Sequence, residues 1–244
     1  MRVGIIGAGN IGATLAGLLT RSGYEVAVAN SRGPDSLREV EAATGARATR
    51  VEDVGANVDA LIISVPQKAV PLLPAATFSR APVVIDTNNY YPWRDGRIEA
   101  LDEGEPDSVW VQRHVGRPVA KAFNSIQSNS LARLGRPAGA PDRIALPVSG
   151  DDATGTDIAS ALVDEAGFSA VQAGTLAESW RQQPGAPVYC TDQSAAEVRR
   201  LLPLADRARL PELRDAAIRE FMAATPAPTP EQRREIFRRL YLPH

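Results

Sequence analysis

A glycine-rich turn near the start of the chain is the first stretch whose residue types and spacing could support chemistry. It fits the pattern G-x-G-x-x-G and reads Gly7-Ala8-Gly9-Asn10-Ile11-Gly12. An apolar run precedes it, an amphipathic helical pattern follows it, and a second apolar run ends at Ala29. The order strand, turn, helix, strand raises this motif above chance. Such a turn presents backbone N–H groups and the positive end of a helix dipole to phosphates. The stretch therefore predicts a dinucleotide site.

Each glycine of this turn has a distinct predicted role. Gly7 lets the chain turn tightly off the first strand. Gly9 has no Cβ, so a pyrophosphate can approach the backbone there. Gly12 lets the helix pack close to the sheet. An ordinary tight turn would use the same glycines, but the surrounding strands and helix favour the nucleotide-binding interpretation.

The end of the second strand indicates which dinucleotide would bind. An NAD site usually carries an acid there, which accepts a hydrogen bond from the ribose 2′-OH. This chain has Asn30, Ser31 and Arg32 instead, with no acid before Asp35. A guanidinium beside a hydroxyl would hold a 2′-phosphate, which a carboxylate would repel. We therefore predict NADP(H) rather than NAD(H), although Ser31 and Arg32 could also form an ordinary solvated loop.

The rest of the pattern predicts an α/β protein. Near-continuous apolar runs at residues 59–65 and 82–86 are typical of buried parallel strands, and helical segments alternate with them. This order indicates a Rossmann-type, doubly wound, mostly parallel sheet. After Leu176 strand signals largely stop, and arginine-rich helical segments follow. We expect a nucleotide-binding domain over residues 1–176 and a C-terminal helical extension over residues 177–244.

Composition narrows the class of protein. The chain has 244 residues and a formal charge of −2, so nothing calls for a nucleic acid or an anionic membrane as partner. Its one cysteine, Cys190, and its two histidines, His114 and His244, show no metal-site spacing, so no metal is expected. No secretory leader or membrane span is evident. We expect a cytoplasmic enzyme with a small-molecule partner, and the helical tail could support a homodimer.

Several further motifs join the glycine turn in a pattern that resembles a known family. They are Ser31-Arg32, Ser64-Val65-Pro66, Val119-Ala120-Lys121-Ala122-Phe123-Asn124-Ser125-Ile126 and Ala173-Gly174-Thr175-Leu176. Together with the turn, they resemble the NADP oxidoreductases that use the deazaflavin coenzyme F420. They are also similar to the cytosolic domain of the six-transmembrane metalloreductases. The resemblance spans residues 1 to about 180. Two positions depart from it, because Asn124 and Gln127 stand where a histidine and a proline are expected.

The resemblance implies roles for individual residues. Gly9, Asn10 and Ile11 would contact the pyrophosphate, and Ser31 and Arg32 would contact the 2′-phosphate. Further along the chain, five residues would surround the nicotinamide. Val65 and Pro66 would line its ribose, and Ala122, Phe123 and Asn124 would form the floor where nicotinamide meets the hydride partner.

No catalytic residue can be assigned from the sequence. Hydride transfer between NADPH and a flavin-like ring needs little acid–base help, whereas reduction of a carbonyl or imine usually needs a proton donor. The candidate donors are Lys121, Tyr90, Tyr91, Asp86 and Glu178. For Lys121 the sequence favours a strand-end lysine that faces solvent or pairs with an acid. Together with Trp93, the two tyrosines could form an apolar lid or simply be loop aromatics held by the core.

Three functions remain open on the sequence alone. The first is hydride transfer between NADPH and coenzyme F420 or a flavin. The second is NADPH-dependent reduction of a small carbonyl or imine. The third is a regulatory protein that senses NADP(H) without turnover.

The predicted role of Arg32 can be tested directly. Replacing Arg32 with Asp places a negative charge where the 2′-phosphate is expected, so binding of NADPH should weaken far more than binding of NADH. Fluorescence titration of both nucleotides measures this preference. An unchanged preference in the variant would refute the role given to Arg32.

Overall fold

A single parallel sheet organises the first half of the chain. The computed structural model describes residues 1–243, so His244 lies outside the described residues. Within them, six strands pair in the order β3-β2-β1-β4-β5-β6, and every pairing is parallel. The strands are β1 (Arg2–Ile6), β2 (Glu25–Ala29), β3 (Arg47–Thr49), β4 (Ala60–Ile63), β5 (Val83–Asp86) and β6 (Val119–Lys121). This order is that of a Rossmann fold, so the predicted fold class is confirmed.

Helices cover both faces of this sheet and form the tail of the chain. They are α1 (Asn10–Arg21), α2 (Arg38–Thr44), α3 (Ala75–Ser79), α4 (Pro92–Asp95), α5 (Glu99–Asp102), α6 (Asp107–Val115), α7 (Ser128–Arg133), α8 (Ala153–Glu165), α9 (Ala195–Leu201), α10 (Leu210–Ala223) and α11 (Pro230–Tyr241). Short 3-10 helices run over Pro34–Leu37, Gln67–Leu72, Leu176–Gln182 and Leu202–Leu204. None of these helices within residues 1–243 combines the length and the apolar character of a membrane span.

Alternation along the strands divides the core into two layers. In β4, Ile62 packs into the layer beneath α1, and its neighbours Leu61 and Ile63 pack into the opposite layer. Successive side chains of a strand point to opposite faces, so an apolar strand buries both of its sides. Full burial of each such side chain contributes about 1.5–3 kcal/mol. The apolar runs of the sequence therefore lie in the middle of the protein.

Two later strands form a sheet of their own. Strands β7 (Ala145–Val148) and β8 (Ser169–Gln172) pair in parallel, and α8 connects them. The main sheet meets them through one antiparallel bridge between Lys121 and Ser149. From the sequence, these segments could not be distinguished from further strands of the main sheet, because a buried run does not reveal its neighbours.

Two local predictions differ from the structure. Residues 51–56, predicted as one or two helical turns, form successive turns without a helix. Residues 90–107, predicted as a loop with one helical turn, contain both α4 and α5. Asp95 explains the additional turn, because its buried carboxylate accepts the backbone N–H of Tyr91 at the start of α4.

The tail folds back onto the carboxyl edge of the main sheet. Tyr189, Phe237 and Tyr241 form an aromatic cluster, and Tyr91 from the loop after β5 packs against it. The Cys190 N–H donates to the Ser125 carbonyl in the loop after β6, at 2.8 Å. The tail therefore covers one end of the chain's own sheet. The division into domains at residue 176 stays a prediction.

A buried charge network lies between β5 and β6. Lys121 is fully buried, and its Nζ donates to the Ser108 hydroxyl at 2.8 Å and to the Asn88 carbonyl at 3.1 Å. The same nitrogen lies 3.9 Å from the Asp86 carboxylate. Burial raises the pKa of Asp86 and Asp107, and the charge of Lys121 opposes that rise. Of the two sequence interpretations of Lys121, pairing with an acid is the correct one.

Replacing Lys121 with Met should destabilise the fold by about 3 kcal/mol at neutral pH, because buried carboxylates would lose their counter-charge. A carboxyl group whose pKa is raised in the folded state stabilises the fold below the ordinary carboxyl pKa. This stabilisation is lost as the pH rises through the raised pKa. Without Lys121 the pKa of Asp86 rises further. The destabilisation should therefore shrink on acidification towards about pH 4.

Denaturant unfolding of both proteins across this pH range measures the effect. Lys68→Met is the matched control, since the exposed Lys68 ammonium makes one hydrogen bond to the Arg94 carbonyl. That variant should lose no more than about 1.5 kcal/mol. An equal loss in the two variants would contradict the role of the buried charge.

Candidate active site

The three glycines of the first turn occupy different environments. A Cβ on Gly7 would lie 2.0 Å from the Ser64 carbonyl oxygen, and Gly7 also has a φ of +106°. A Cβ on Gly12 would lie 1.9 Å from the Gly7 carbonyl oxygen. A Cβ on Gly9 would meet nothing within 4 Å. Gly7 and Gly12 are therefore required by the fold itself, whereas the space beside Gly9 is open to a ligand.

The beginning of α1 is suited to an anion. Its N-cap residue is Gly9, which provides no capping side chain, and the first turn contains no acid. The first backbone bond of the helix runs from the Ala13 N–H to the Gly9 carbonyl. The N–H groups of Asn10 and Ile11 precede that bond and are free to bind phosphate oxygens. These residues fit the pyrophosphate of a dinucleotide.

A large cavity lies beside the ends of β1, β2 and β4, and we call it the arginine cavity. Its volume is about 960 Å³. Its lining includes Gly7, Gly9, Asn30, Ser31, Arg32, Arg50, Glu52, Val65 and Pro66. Asn30 shapes its rim, because the Asn30 Oδ1 accepts the Arg32 N–H at 2.9 Å and its Nδ2 donates to Ser36.

Arg50 is a cation of this cavity that the sequence interpretation missed. Ala29 and Thr49 are paired in the register of β2 and β3, so the residues that follow these strands lie side by side. Arg50 thereby joins Ser31 and Arg32. Within residues 1–243, neither arginine forms an ion pair of its own. The sequence signal that could have identified Arg50 is the position of this cation directly after the short third strand.

A second cavity lies at the ends of β5 and β6, and we call it the tyrosine cavity. Its volume is about 420 Å³. Its nucleotide side is formed by Gly9, Asn10, Ile11, Ser64, Val65 and Pro66, and its far side includes Tyr91, Arg94, Phe123, Asn124, Tyr189, Cys190, Phe221, Arg233 and Phe237. Gly9, Ser64, Val65 and Pro66 line both cavities. The two cavities therefore meet at the glycine turn.

Amide side chains fix the floor of the tyrosine cavity. The Asn88 Oδ1 accepts the Val65 N–H at 3.0 Å. Asn89 donates to the Asn124 carbonyl, and the Asn124 Nδ2 donates back to the Asn89 Oδ1, both at 2.9 Å. Gln182 closes the network, since it donates to the Asn124 Oδ1. Asn124 therefore links the ends of β5 and β6 to the tail, because its amide nitrogen donates and its amide oxygen accepts.

Phe123 turns the chain at the end of β6. Its φ is +60°, which is rare for a residue with a bulky side chain and stores backbone strain. Its ring is buried, and the residue lines the tyrosine cavity. Strain of this kind persists only where the surrounding structure imposes it.

Two tyrosine hydroxyls meet on the far side of this cavity. The Tyr91 and Tyr189 hydroxyl oxygens lie 2.7 Å apart, and either can be the donor. Burial raises the pKa of both tyrosines far above its ordinary value, and nearby Cys190 adds to the rise. Both groups therefore stay protonated throughout the physiological pH range.

Positive charge predominates around the tyrosine cavity. Arg94 and Arg233 line it, and within residues 1–243 no aspartate or glutamate does. The charge of Arg94 is balanced by the buried Asp95, at 2.8 Å. Arg233 donates to the Pro228 carbonyl and lies over the Phe221 ring, with no acid paired to it among the described residues.

The structure brings most of the predicted site residues to the two cavities. Eleven of the thirteen line one or both: Gly7, Gly9, Asn10, Ile11, Asn30, Ser31, Arg32, Val65, Pro66, Phe123 and Asn124. Gly12 is packed against the glycine turn, and Ala122 is buried in the core, so these two line neither. Contact of these residues with a nucleotide stays a prediction.

Most of the candidate proton donors lie elsewhere. Tyr91 alone among the five lines the tyrosine cavity. Asp86 and Lys121 are buried beneath it, and Glu178 caps the 3-10 helix that follows β8. The hydroxyl of Tyr90 is bonded to Gly96 and Asp102. Of the three aromatic residues predicted to form a lid, Tyr91 therefore lines a cavity. Trp93 is 62% exposed and lines neither cavity.

Comparison with known proteins agrees with this geometry. Residues 2–90 match the family described as NADP oxidoreductase, coenzyme F420-dependent. Over 81 residues the chain is 46% identical to the protein YjhV of Escherichia coli (strain K12). That match covers 32% of this chain and 59% of YjhV. The chain therefore spans less than two thirds of this relative.

Two solved structures resemble a larger part of the chain. A hypothetical protein from Sinorhizobium meliloti, SMa0349, has a TM-score of 0.64 and 29% identity over 80% of this chain and 93% of that one. A protein from Arthrobacter sp. FB24, named as an F420-dependent NADP reductase, has a TM-score of 0.61 and 19% identity. That likeness covers 93% of this chain and 96% of that one, and it shows the shared fold.

The matched segment contains the glycine turn, both arginine-bearing strand ends and the loop after β5 as far as Tyr90. The resemblance predicted from the sequence is thus confirmed over residues 2–90, which match the family of coenzyme F420-dependent NADP oxidoreductases.

Proposed function

We propose that this protein is an NADP(H)-dependent oxidoreductase. The observation that carries the proposal is the meeting of two cavities at Gly9, Ser64, Val65 and Pro66. One cavity has the cations and the open helix end that a phosphorylated dinucleotide needs. The other has room for a second organic molecule. A ligand that crosses Gly9 would end in the tyrosine cavity, which is where a hydride must be exchanged.

The residues of the chain would divide the nucleotide between them. Ser31, Arg32 and Arg50 would hold the 2′-phosphate, and the N–H groups of Asn10 and Ile11 would hold the pyrophosphate. Bound NADPH supplies a hydride, and the protein supplies orientation and exclusion of water. The amide network and the strained Phe123 backbone fix the floor against which the reactants would align.

The first candidate for the second molecule is coenzyme F420 or a flavin. The family match over residues 2–90 supports a deazaflavin. The aromatic residues that line the tyrosine cavity, Tyr91, Phe123, Tyr189, Phe221 and Phe237, suit a flat ring. This chemistry needs alignment more than acid–base help, because the cofactors carry the reaction.

The second candidate is a small carbonyl or imine compound. Reduction of either requires a proton, and Tyr91 and Tyr189 are hydroxyl donors in the same cavity.

A cytoplasmic location and a homodimer are further parts of the proposal, and both follow from the sequence expectations alone.

Gly9 offers a test that separates folding from nucleotide binding. Gly9→Ala should fold normally, because its Cβ would meet no protein atom within 4 Å. It should bind NADPH about tenfold more weakly, since the methyl group would occupy space needed by the pyrophosphate. Gly12→Ala is the contrasting variant, and it should lose about 3 kcal/mol of stability through its clash with the Gly7 carbonyl.

Both proteins would be compared by thermal unfolding, NADPH fluorescence and NADPH oxidation. The oxidation assay would supply coenzyme F420, FMN or a panel of aldehydes, ketones and imines. Absorbance loss of F420 or FMN identifies the first candidate, and oxidation that depends on a panel compound identifies the second. Tight NADPH binding without any turnover would replace the enzyme with a sensor of NADP(H). Unweakened binding in Gly9→Ala would refute the pyrophosphate site.

Arg50→Ala should reduce affinity for NADP⁺ by about tenfold and leave NAD⁺ binding nearly unchanged, because a charge-assisted contact to the 2′-phosphate would be lost. Arg47→Ala is the matched control. Arg47 lies three residues earlier in β3 and lines a different cavity. Calorimetric titration of both nucleotides measures the difference, and parallel losses for NADP⁺ and NAD⁺ would show that Arg50 does not read the phosphate.

A further inference from the structure

The tyrosine pair is held in place by segments from both halves of the chain. Tyr91 follows the Asn88–Asn89 turn at the end of β5. Tyr189 comes from the tail, and its neighbour Cys190 is bonded to the loop after β6 through Ser125. The Tyr189 ring also packs edge-on against Phe237, with ring centroids 5.8 Å apart. The position of the two hydroxyls is therefore set by the fold.

Hydrogen-bond counting leaves one donor of this pair unused. Each tyrosine hydroxyl has one hydrogen, and the bond between Tyr91 and Tyr189 consumes one of the two. Within residues 1–243, neither hydroxyl bonds to a further nitrogen or oxygen atom. Tyr189 also interacts with the neighbouring Cys190 thiol, but sulfur is a weak acceptor. Both residues line the tyrosine cavity, and an acceptor placed there against the two hydroxyls would take the remaining hydrogen.

The charges around the pair favour an acceptor that becomes negative. The acid-free lining of the tyrosine cavity, among the described residues, includes Arg233 with no carboxylate paired to it. A hydroxyl whose pKa is raised by burial gives up its proton only to a strongly basic oxygen. Such an oxygen arises when a hydride adds to the carbon of a carbonyl group.

We propose that the Tyr91–Tyr189 pair binds the carbonyl oxygen of the hydride acceptor and donates to it as negative charge develops. This inference rests on the proposed function and deepens it, because it specifies an acceptor with a carbonyl oxygen at or conjugated to the reacting carbon. A deazaflavin ring and a small ketone or aldehyde share that chemistry. The pair would act as an oxyanion-binding site made of two side chains.

The step can be written out for a small carbonyl substrate. A hydride from NADPH forms the new C–H bond, and the π electron pair of the carbonyl moves to its oxygen. The O–H bond of one tyrosine breaks, and the proton forms the hydroxyl of the product. The phenolate that remains accepts a hydrogen bond from the other tyrosine until water returns the proton. The carbonyl carbon is reduced and the nicotinamide is oxidised.

An oxyanion probe tests this site without turnover. 4-Nitrophenolate is a flat anion whose absorption shifts when hydroxyl donors bind its oxygen. We expect it to bind the NADP⁺-saturated protein, and we expect Tyr189→Phe and Tyr91→Phe each to weaken binding by about tenfold. Tyr241→Phe is the matched control, because Tyr241 belongs to the same aromatic cluster but does not line the cavity. Its affinity should stay within about twofold of the original protein.

The outcomes separate this inference from the proposed function. NADPH fluorescence reports the nucleotide site independently of the probe, and thermal unfolding checks that each variant is folded. If NADPH binds but the probe does not, or if both Phe variants bind the probe as the original protein does, the pair merely satisfies its own hydroxyls and the inference is wrong. Should either Phe variant fail to fold, the other decides. If NADPH itself does not bind, the proposed function fails first.

Discussion

One buried ammonium group joins the elements on which the site depends. Lys121 ends β6, yet its Nζ contacts Ser108 of α6, the Asn88 carbonyl after β5 and, at a longer distance, the Asp86 carboxylate. A lysine is buried only where such partners replace water. Because the loops after β5 and β6 form the floor of the tyrosine cavity, this charge fixes the surface on which a reaction would take place.

The nucleotide half of the protein could be predicted from the sequence because its signals are local. The glycine turn, the apolar strands and Ser31–Arg32 each identify themselves within a few residues, and the alternation of strands and helices indicates a parallel sheet with right-handed crossovers. Arg50 was not predicted as a site residue, because its position beside Arg32 depends on the register between β2 and β3. Strand pairing brings together residues whose separation in the chain hides their proximity.

The acceptor half could be predicted only in part, because its walls come from distant segments. Tyr91 was recognised as a candidate, but Tyr189 lies in a stretch without helical or strand periodicity. Phe221, Arg233 and Phe237 also line this cavity. The spacing of apolar residues predicts the helices that carry them, but where those helices lie depends on tertiary packing. Likewise, the sequence could not separate the second sheet, of β7 and β8, from the first. An apolar run does not indicate which strand it will pair with.

The two cavities differ in how much chain entropy their formation costs. The strand pairing that places Arg50 beside Arg32 joins residues about twenty positions apart, whereas the tyrosine pair joins residues separated by 98 positions. Loop closure over the longer distance costs about 1.4 kcal/mol more. Closing the chamber for the second reactant therefore costs more chain entropy, and any occupant that touches both phenols would tie the last segment of the chain to its first half.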